Sequence, residues 1–208
     1  MNLGEKLEQG LAALAVPLPA GAGERLLAYI TLLHKWNKVY NLTAIREPQQ
    51  MLSHHILDSL AVLPYLPQAK SIADVGTGAG LPGIPLALAR PETAVALVES
   101  NHKKATFLTQ AKLELKLDNV QVICERAEAF QPVNRFGVVV SRAFSDLADF
   151  VGLTRHLCAP GGVLAAMKGL YPHEELAALP SDVTVEQVFP VKVPGLEAER
   201  HLVLIRVD

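Results

Sequence analysis

The sequence predicts an α/β protein in which a helical N-terminal extension, residues 1–66, precedes a mostly parallel sheet over residues 67–208. Before residue 67, apolar residues recur at helical spacing. After residue 70, short apolar runs alternate with helical segments, and the tail has two strand-like runs with no helix between them. Strands that alternate with helices form parallel βαβ units, and two adjoining strands close a sheet as an antiparallel pair.

Three helices are predicted in the extension. Glycines and prolines within residues 10–23 separate the first two, and apolar side chains from Leu26 to Val39 fall on one face of the second. Pro48 is a favourable first-turn residue and begins the third helix, which should end before Pro64 or Pro67.

The remaining elements follow from the alternation after residue 70. Short apolar runs bounded by turn residues predict strands, and the longer segments between them predict helices. The predicted strands are 71–75, 94–98, 120–124, 137–140, 163–167, 183–191 and 201–207, and the predicted helices are 81–90, 102–117 and 146–157.

Composition excludes several classes of protein. Half of the 208 residues are apolar and only 19% are charged, which excludes intrinsic disorder. A formal charge of −2 does not indicate a protein that binds nucleic acid through its overall charge. We expect a cytoplasmic protein, because no secretory signal or long apolar run is visible. Cys124 and Cys158 lie in apolar surroundings without metal-ligand spacing, so we interpret both as reduced core thiols.

The most informative segment is the run from Asp74 to Gly83, between the first predicted strand and its helix. Its glycines Gly78, Gly80 and Gly83 match a dinucleotide fingerprint, and Glu99 follows at the end of the second strand, where it can accept from a ribose hydroxyl. An acidic residue ahead of the glycines suits a cationic sulfonium ligand better than a pyrophosphate, so S-adenosylmethionine is favoured over NAD. The alternative is a merely tight turn, which does not need three costly glycines.

Other candidates follow the later strands. Ala127-Glu128 comes after the third strand and Ser141-Arg142-Ala143 after the fourth, at the same carboxyl edge of the sheet. Spacing alone favours a solvated acidic turn for Ala127-Glu128. For Arg142, spacing does not decide between a functional role and a surface role. Lys168, after the fifth strand, is more typical of a surface lysine.

The N-terminal extension carries a mixed basic, aromatic and amide cluster in His34-Lys35-Trp36-Asn37 and Asn41-Leu42-Thr43. A helix-end anchor with a polar cap explains these residues without any ligand. His54, His55 and Asp58 share a predicted helix, where packing and local hydrogen bonds are the default interpretation because a metal would need a further ligand.

Taken together, these motifs resemble the RsmG (GidB) methyltransferases of bacterial small-subunit ribosomal RNA, and the resemblance spans nearly the whole chain. It rests on His34-Lys35-Trp36-Asn37, Tyr40-Asn41-Leu42-Thr43, His55-Ile56-Leu57-Asp58-Ser59, residues 74–85, Ser141-Arg142-Ala143, Lys168-Gly169 and Glu199-Arg200-His201-Leu202. The resemblance implies a class I, Rossmann-like fold with a seven-stranded, mostly parallel sheet and an antiparallel C-terminal strand. It also implies methyl transfer from S-adenosylmethionine to N7 of one guanine in 16S rRNA near the decoding region.

The resemblance assigns roles to individual positions. Gly76 and Leu81 would line the methionine side of the cofactor, Ala127 and Glu128 the adenine side, and Arg142 would contact cofactor or target and act in catalysis. The full set of expected cofactor-binding residues is Asp74, Gly76, Gly78, Gly80, Leu81, Glu99, Ala127, Glu128 and Arg142. The expected RNA-binding residues are Lys35, Trp36, Asn37, Arg46, Lys168 and Arg200.

The chemistry agrees with the residue types. Guanine N7 has a lone pair and no proton to lose, so its methylation requires alignment rather than a general base. We expect no metal, because the sequence lacks a set of metal ligands at suitable spacing. Because the chain is net negative, we expect it to act on the 30S subunit or a precursor rather than on naked RNA. We also expect a monomer. A small-molecule methyltransferase, an NAD-dependent oxidoreductase and a non-catalytic assembly factor remain as alternatives.

Overall fold

The computed structural model describes residues 2–207 and contains one sheet of seven strands in the order β3-β2-β1-β4-β5-β7-β6. The alternation in the sequence therefore produces a doubly wound sheet, as predicted. The strands are β1 Ser71–Val75, β2 Ala94–Val98, β3 Val120–Ile123, β4 Phe136–Ser141, β5 Cys158–Lys168, β6 Val183–Pro190 and β7 His201–Val207.

Helices precede the sheet and connect its parallel strands. They are α1 Leu3–Leu14, α2 Ala22–Tyr40, α3 Pro48–Met51, a π-helical segment Leu52–Leu57, α4 Asp58–Leu60, α5 Gly83–Ala89, α6 His102–Glu114, α7 Leu147–Thr154, a 3₁₀ turn Arg155–Leu157 and α8 His173–Ala177. No helix among residues 2–207 is long and apolar enough to cross a membrane.

Strand pairing confirms the predicted sheet class. β1 pairs in parallel with β2 and with β4, and β2–β3 and β4–β5 are also parallel. β7 runs antiparallel to both β5 and β6, which closes the sheet as the helix-free tail predicts. The strand order reverses at β1, whose neighbours β2 and β4 lie on opposite sides. At such a switch point the loops at the carboxyl ends of the strands form a crevice.

Alternate strand residues build two separate cores. Ile72 and Val138 belong to one cluster with the buried side chains of α2, α5 and α6, whereas Ala73 and Val139 belong to a second cluster with those of α7. This period of two is what a sheet covered on both faces requires. The N-terminal helices share the first cluster with the sheet, and the boundary at residue 66 stays a prediction.

The third predicted helix begins at Pro48, as expected, but changes character after Met51. Leu52–Leu57 is π-helical before the α-helical geometry returns at Asp58. Single π-helical turns of this kind are rare and occur frequently at functional sites. Periodicity does not reveal such a turn, because apolar spacing changes little over six residues.

Candidate functional site

The turn after β1 lies at the switch point of the sheet. Gly76, Gly78 and Gly80 all have positive φ values of 67°, 62° and 95°, a region that residues with a side chain rarely adopt. A Cβ at Gly76 would lie 2.9 Å from the Cβ of Ala143, in the loop after β4, whereas a Cβ at Gly78 would point into open space. The turn is therefore closed on one side by the β4 loop and open at Gly78.

Asp74 is fully buried beneath this turn. Its Oδ2 atom accepts from the Thr77 hydroxyl at 2.5 Å and from the Gly83 N–H at 2.6 Å, while Oδ1 has no hydrogen-bond partner among the described residues. Burial raises the pKa of this carboxyl to about 6, against the opposing effect of the two donors. Asp74 thus ties the end of β1 to the start of α5. A direct contact with a ligand would fall to Oδ1, and that contact stays a prediction.

Glu99 follows β2 and is only 7% exposed. Its Oε2 accepts from the Gly78 N–H at 2.9 Å and its Oε1 accepts from the Asn101 N–H at 2.8 Å. A carboxylate oxygen has two lone pairs, so each oxygen can still accept a second donor such as a sugar hydroxyl. Glu99 fixes the turn at Gly78, and its contact with a ribose stays a prediction.

Tyr29 supports the turn from the N-terminal extension, a contact that no pattern in the sequence indicates. Its hydroxyl, on α2, donates to the Ala79 carbonyl at 2.6 Å. Burial raises the pKa of Tyr29 far above its ordinary value, so the phenol is a neutral donor at any physiological pH. The extension therefore contacts the glycine turn directly.

Two adjoining cavities open at this edge of the sheet. The first, of about 180 Å³, is lined by Leu42, Thr43, Gly76, Thr77, Gly78, Ala79, Leu81, Arg142 and Ala143. The second, of about 400 Å³, is lined by Ile45, His54, His55, Asp58, Arg142, Met167, Lys168, Gly169 and Arg200. Arg142 belongs to both, so it stands where the two cavities meet.

Arg142 is held there by the π-helical segment and by α4. Its Nη1 donates to the His54 carbonyl at 3.1 Å and to Asp58 Oδ2 at 3.1 Å. Asp58 Oδ1 accepts from Arg200 Nε at 2.8 Å, so one buried carboxylate joins two arginines from distant parts of the chain. Spacing alone favours local packing for Asp58, and only its place in the family motif indicates more.

His55 lies in the wall of the second cavity as a neutral group. Burial and the nearby Arg142 lower the pKa of His55 to about 4. Its Nε2 lies 2.9 Å from the Thr43 hydroxyl, and its Nδ1 lies 3.0 Å from the His54 carbonyl. The tautomer with hydrogen on Nδ1 satisfies both contacts, with Thr43 as donor to Nε2.

Two of the predicted RNA-binding side chains are engaged within the protein. Asn37 is 1% exposed. Its amide donates to the Ile45 carbonyl at 3.0 Å and accepts from the Thr43 N–H at 2.9 Å. A direct RNA contact by Asn37 is therefore corrected to a role in holding the loop after α2. Lys168 is similarly occupied, because its Nζ donates to the Ser145 carbonyl at 2.9 Å and pairs with Glu175 at 2.8 Å.

The other predicted RNA-binding residues are more accessible. Lys35 is exposed, and Arg46 is exposed although it donates to the Asn37 carbonyl and to Asn41. Trp36 is half-buried, stacks on Tyr40 with ring centroids 5.2 Å apart and contacts Phe107 on α6. Trp36 thus acts as an anchor between α2 and α6, and its contact with RNA stays a prediction.

The predicted adenine-side residues lie outside both cavities. Ala127 is half-buried after β3, and Glu128 is exposed and lies 3.8 Å from Arg126. Cys124, interpreted above as a core thiol, is in fact exposed, with its Sγ 3.2 Å from His102 Nδ1. The strand ends at Ile123. Cys124 therefore leaves the sheet, while Cys158 is buried as predicted.

Two solved structures of similar architecture are methyltransferases. A SAM-dependent methyltransferase from Aquifex aeolicus matches 87% of this chain and 98% of its own, with a TM-score of 0.62 and 17% identity. The O-methyltransferase TomG from Streptomyces achromogenes, solved in complex with SAM, matches 100% of this chain and 99% of its own, with a TM-score of 0.58 and 19% identity. These similarities show the fold, which is the class I methyltransferase fold that the sequence predicts.

Sequence comparison is more specific. The family model described as "GidB: rRNA small subunit methyltransferase G" matches residues 22–203. The ribosomal RNA small subunit methyltransferase G of Laribacter hongkongensis is 59% identical over 203 residues, covering 98% of each chain. The chain therefore belongs to the GidB family of small-subunit rRNA methyltransferases.

Proposed function

We propose that this protein transfers a methyl group from S-adenosylmethionine to N7 of one guanine in 16S rRNA near the decoding region. The observation that carries the proposal is the pair of adjoining cavities with Arg142 between them. One cavity includes the open glycine turn, and the other is walled by two arginines and a buried carboxylate. Methyl transfer requires a donor and an acceptor to meet in line, which is what two sites with a common wall allow.

The residues of the glycine turn fit S-adenosylmethionine. The open face at Gly78 admits a ligand against the backbone, and Glu99 retains acceptor capacity for a ribose. The unpaired, buried Oδ1 of Asp74 is an acceptor that suits an ammonium group. Because the first cavity, about 180 Å³, is small for a whole ligand, we assign it to the methionine end. The nucleoside would extend along the sheet edge toward Glu99, Ala127 and Glu128.

When bound, S-adenosylmethionine supplies an electrophilic methyl group on a cationic sulphur. The guanine N7 lone pair forms the new N–C bond as the S–C bond breaks, the S–C electron pair stays on sulphur, and the positive charge passes to the purine. No proton moves, so the site needs no general base. The role left to Arg142, Asp58 and Arg200 is to orient the base and to set the electrostatic field around it.

We further infer that the substrate is the 30S subunit or a precursor in the cytoplasm and that the protein acts as a monomer. A formal charge of −2 provides little general attraction for naked RNA. Lys35, Arg46 and Arg200 are the cationic side chains we assign to RNA contact.

The test is to incubate the purified protein with labelled S-adenosylmethionine and either 30S subunits or protein-free 16S rRNA. Cleavage chemistry selective for 7-methylguanine then maps the product. We expect one modified guanine near the decoding region, formed faster on 30S subunits. Modification at another atom would refute the proposed reaction, and equal rates on both substrates would refute the preference for an assembled particle.

A further inference from the structure

The second cavity contains an ion-pair cluster centred on Asp58, whose carboxylate lies behind the two arginines. Its side chain is 2% exposed, while the side chains of Arg142 and Arg200 are 28% and 26% exposed. The carboxylate is therefore hidden and the two guanidinium groups border the cavity. Asp58 is 84 positions from Arg142 and 142 positions from Arg200, so the cluster exists only in the folded protein.

The Asp58 carboxylate binds one N–H group of each arginine and leaves other N–H groups of both guanidinium groups available to a ligand. Arg142 uses Nη1, and Arg200 uses Nε for Asp58 and Nη1 for the Glu199 carbonyl. Within the described residues, Nε and Nη2 of Arg142 and Nη2 of Arg200 have no hydrogen-bond partner. Guanine presents O6 and N7 as neighbouring acceptors, and arginine is the side chain that most often binds that edge.

Charge gives a second reason for a carboxylate at this position. Two arginines and one aspartate leave the cluster with a charge of +1, and His55 adds none at neutral pH because its pKa lies at about 4. Lys168, also in the wall, is paired with Glu175. Methylation at N7 places a positive charge on the purine. Without Asp58 that charge would develop beside two unneutralised guanidinium groups, which like-charge repulsion disfavours.

We propose that Asp58 is a positioning residue that orients Arg142 and Arg200 toward the O6 edge of the target purine and offsets their charge as the purine becomes cationic. This inference rests on the proposed function. It predicts that removing the carboxylate slows the chemical step more than it weakens RNA binding, since a more cationic cavity still attracts RNA.

The kinetic test compares wild-type protein with Asp58→Asn, which keeps the shape and removes the charge. The matched control is Asp182→Asn, which breaks the exposed ion pair with Arg155, 2.7 Å long and remote from the cavity. We expect kcat on 30S subunits to fall at least about tenfold for Asp58→Asn, with KM within about threefold, and no change for Asp182→Asn. A kcat within twofold of wild type, or a loss that resides entirely in KM, would overturn the proposal.

A second variant covers the case in which Asp58→Asn does not fold. Asp58→Glu keeps the charge and moves it by about 1.5 Å, one C–C bond. Positioning predicts at least about a fivefold loss of kcat there, and wild-type kcat would overturn it.

A measurement without RNA separates this inference from the proposed function. In NMR spectra of ¹⁵N-arginine protein, we expect a slowly exchanging Arg200 Nε–H signal that is lost in Asp58→Asn. An unchanged signal would show that Asp58 does not fix Arg200. If wild-type protein methylates no RNA, the proposed function fails, and this signal still decides whether Asp58 positions the arginine.

Discussion

Replacing Gly78 by alanine separates the cofactor role of the glycine turn from its structural role. Gly78 has φ of 62°, and the nearest neighbour of an added Cβ would be the Gly76 carbonyl oxygen at 4.0 Å. The substitution therefore introduces backbone strain without a clash. Holding an L-residue in this left-handed region costs about 1–2 kcal/mol of folding free energy, which corresponds to a decrease in Tm of about 2–8 °C for a chain of this size.

Gly161 provides the matched control. Its φ is 73°, an added Cβ would meet nothing within 4 Å, and it lies in the first half of β5, far from the carboxyl edge. Gly161→Ala should lower Tm by a similar amount. Only Gly78→Ala should weaken ligand binding, because its methyl group occupies the open face where the ligand approaches the backbone.

Calorimetry with S-adenosylhomocysteine measures the difference directly. We expect the Kd of Gly78→Ala to rise at least about tenfold, which corresponds to about 1.4 kcal/mol, and the Kd of Gly161→Ala to match wild type. Should Gly78→Ala bind as tightly as wild type while showing the same loss of Tm as Gly161→Ala, the assignment of the turn to the cofactor would be wrong.

Three further predictions follow from buried polar groups. Tyr29→Phe removes the donor to the Ala79 carbonyl, so the free energy of unfolding measured in urea should fall by about 1–3 kcal/mol, and cofactor affinity should fall as well. Unchanged cofactor affinity would show that α2 does not support the turn. Asn37→Ala leaves two partly buried backbone groups unpaired and should cost about 1–3 kcal/mol in the same assay. A loss in RNA binding alone would restore the original RNA-contact prediction. The raised pKa of Asp74 stabilises the fold below pH 4, and this contribution is lost as pH rises through about 6. The lowered pKa of His55 stabilises the fold above pH 6.5, and this contribution is lost as pH falls through about 4. Each contribution is about 3 kcal/mol, so the two largely cancel in the wild-type protein. Between pH 4 and 6.5, the free energy of unfolding should rise with pH in Asp74→Asn and fall with pH in His55→Gln. Parallel pH profiles for the two variants would contradict both assignments.

The strands and the glycine turn could be predicted because they depend on local pattern. β1, β2 and β7 begin and end at the residues that the apolar runs indicate, since a strand covered on both faces is mostly apolar. The shared position of the turn after β1 and of Arg142 after β4 at one edge of the sheet follows from topology as well. Parallel strands bring their carboxyl ends to one edge, and β4 is the neighbour of β1.

Individual side-chain roles were harder to predict because burial depends on the tertiary fold. Asn37 and Lys168 are polar residues near the ends of elements, a position that favours solvent, but neighbouring loops cover them and use their hydrogen bonds. Cys124 shows the converse, since the strand before it ends one residue early and leaves the thiol exposed. In each case the pattern is local, and the determining contact comes from another part of the chain.

The two cavities differ in where their walls originate, and this difference bears on specificity. The first is formed mainly by the turns after β1 and β4, which any sheet of this topology brings together. In the second, the ends of β4 and β5 meet segments from elsewhere in the chain, namely the π-helical segment, α4 and the connection before β7 that carries Arg200. These segments lie outside the βαβ units, so they can change without altering the sheet. Recognition of the methyl acceptor should therefore reside in the cluster that Asp58 holds together, while the glycine turn sets only which donor is used.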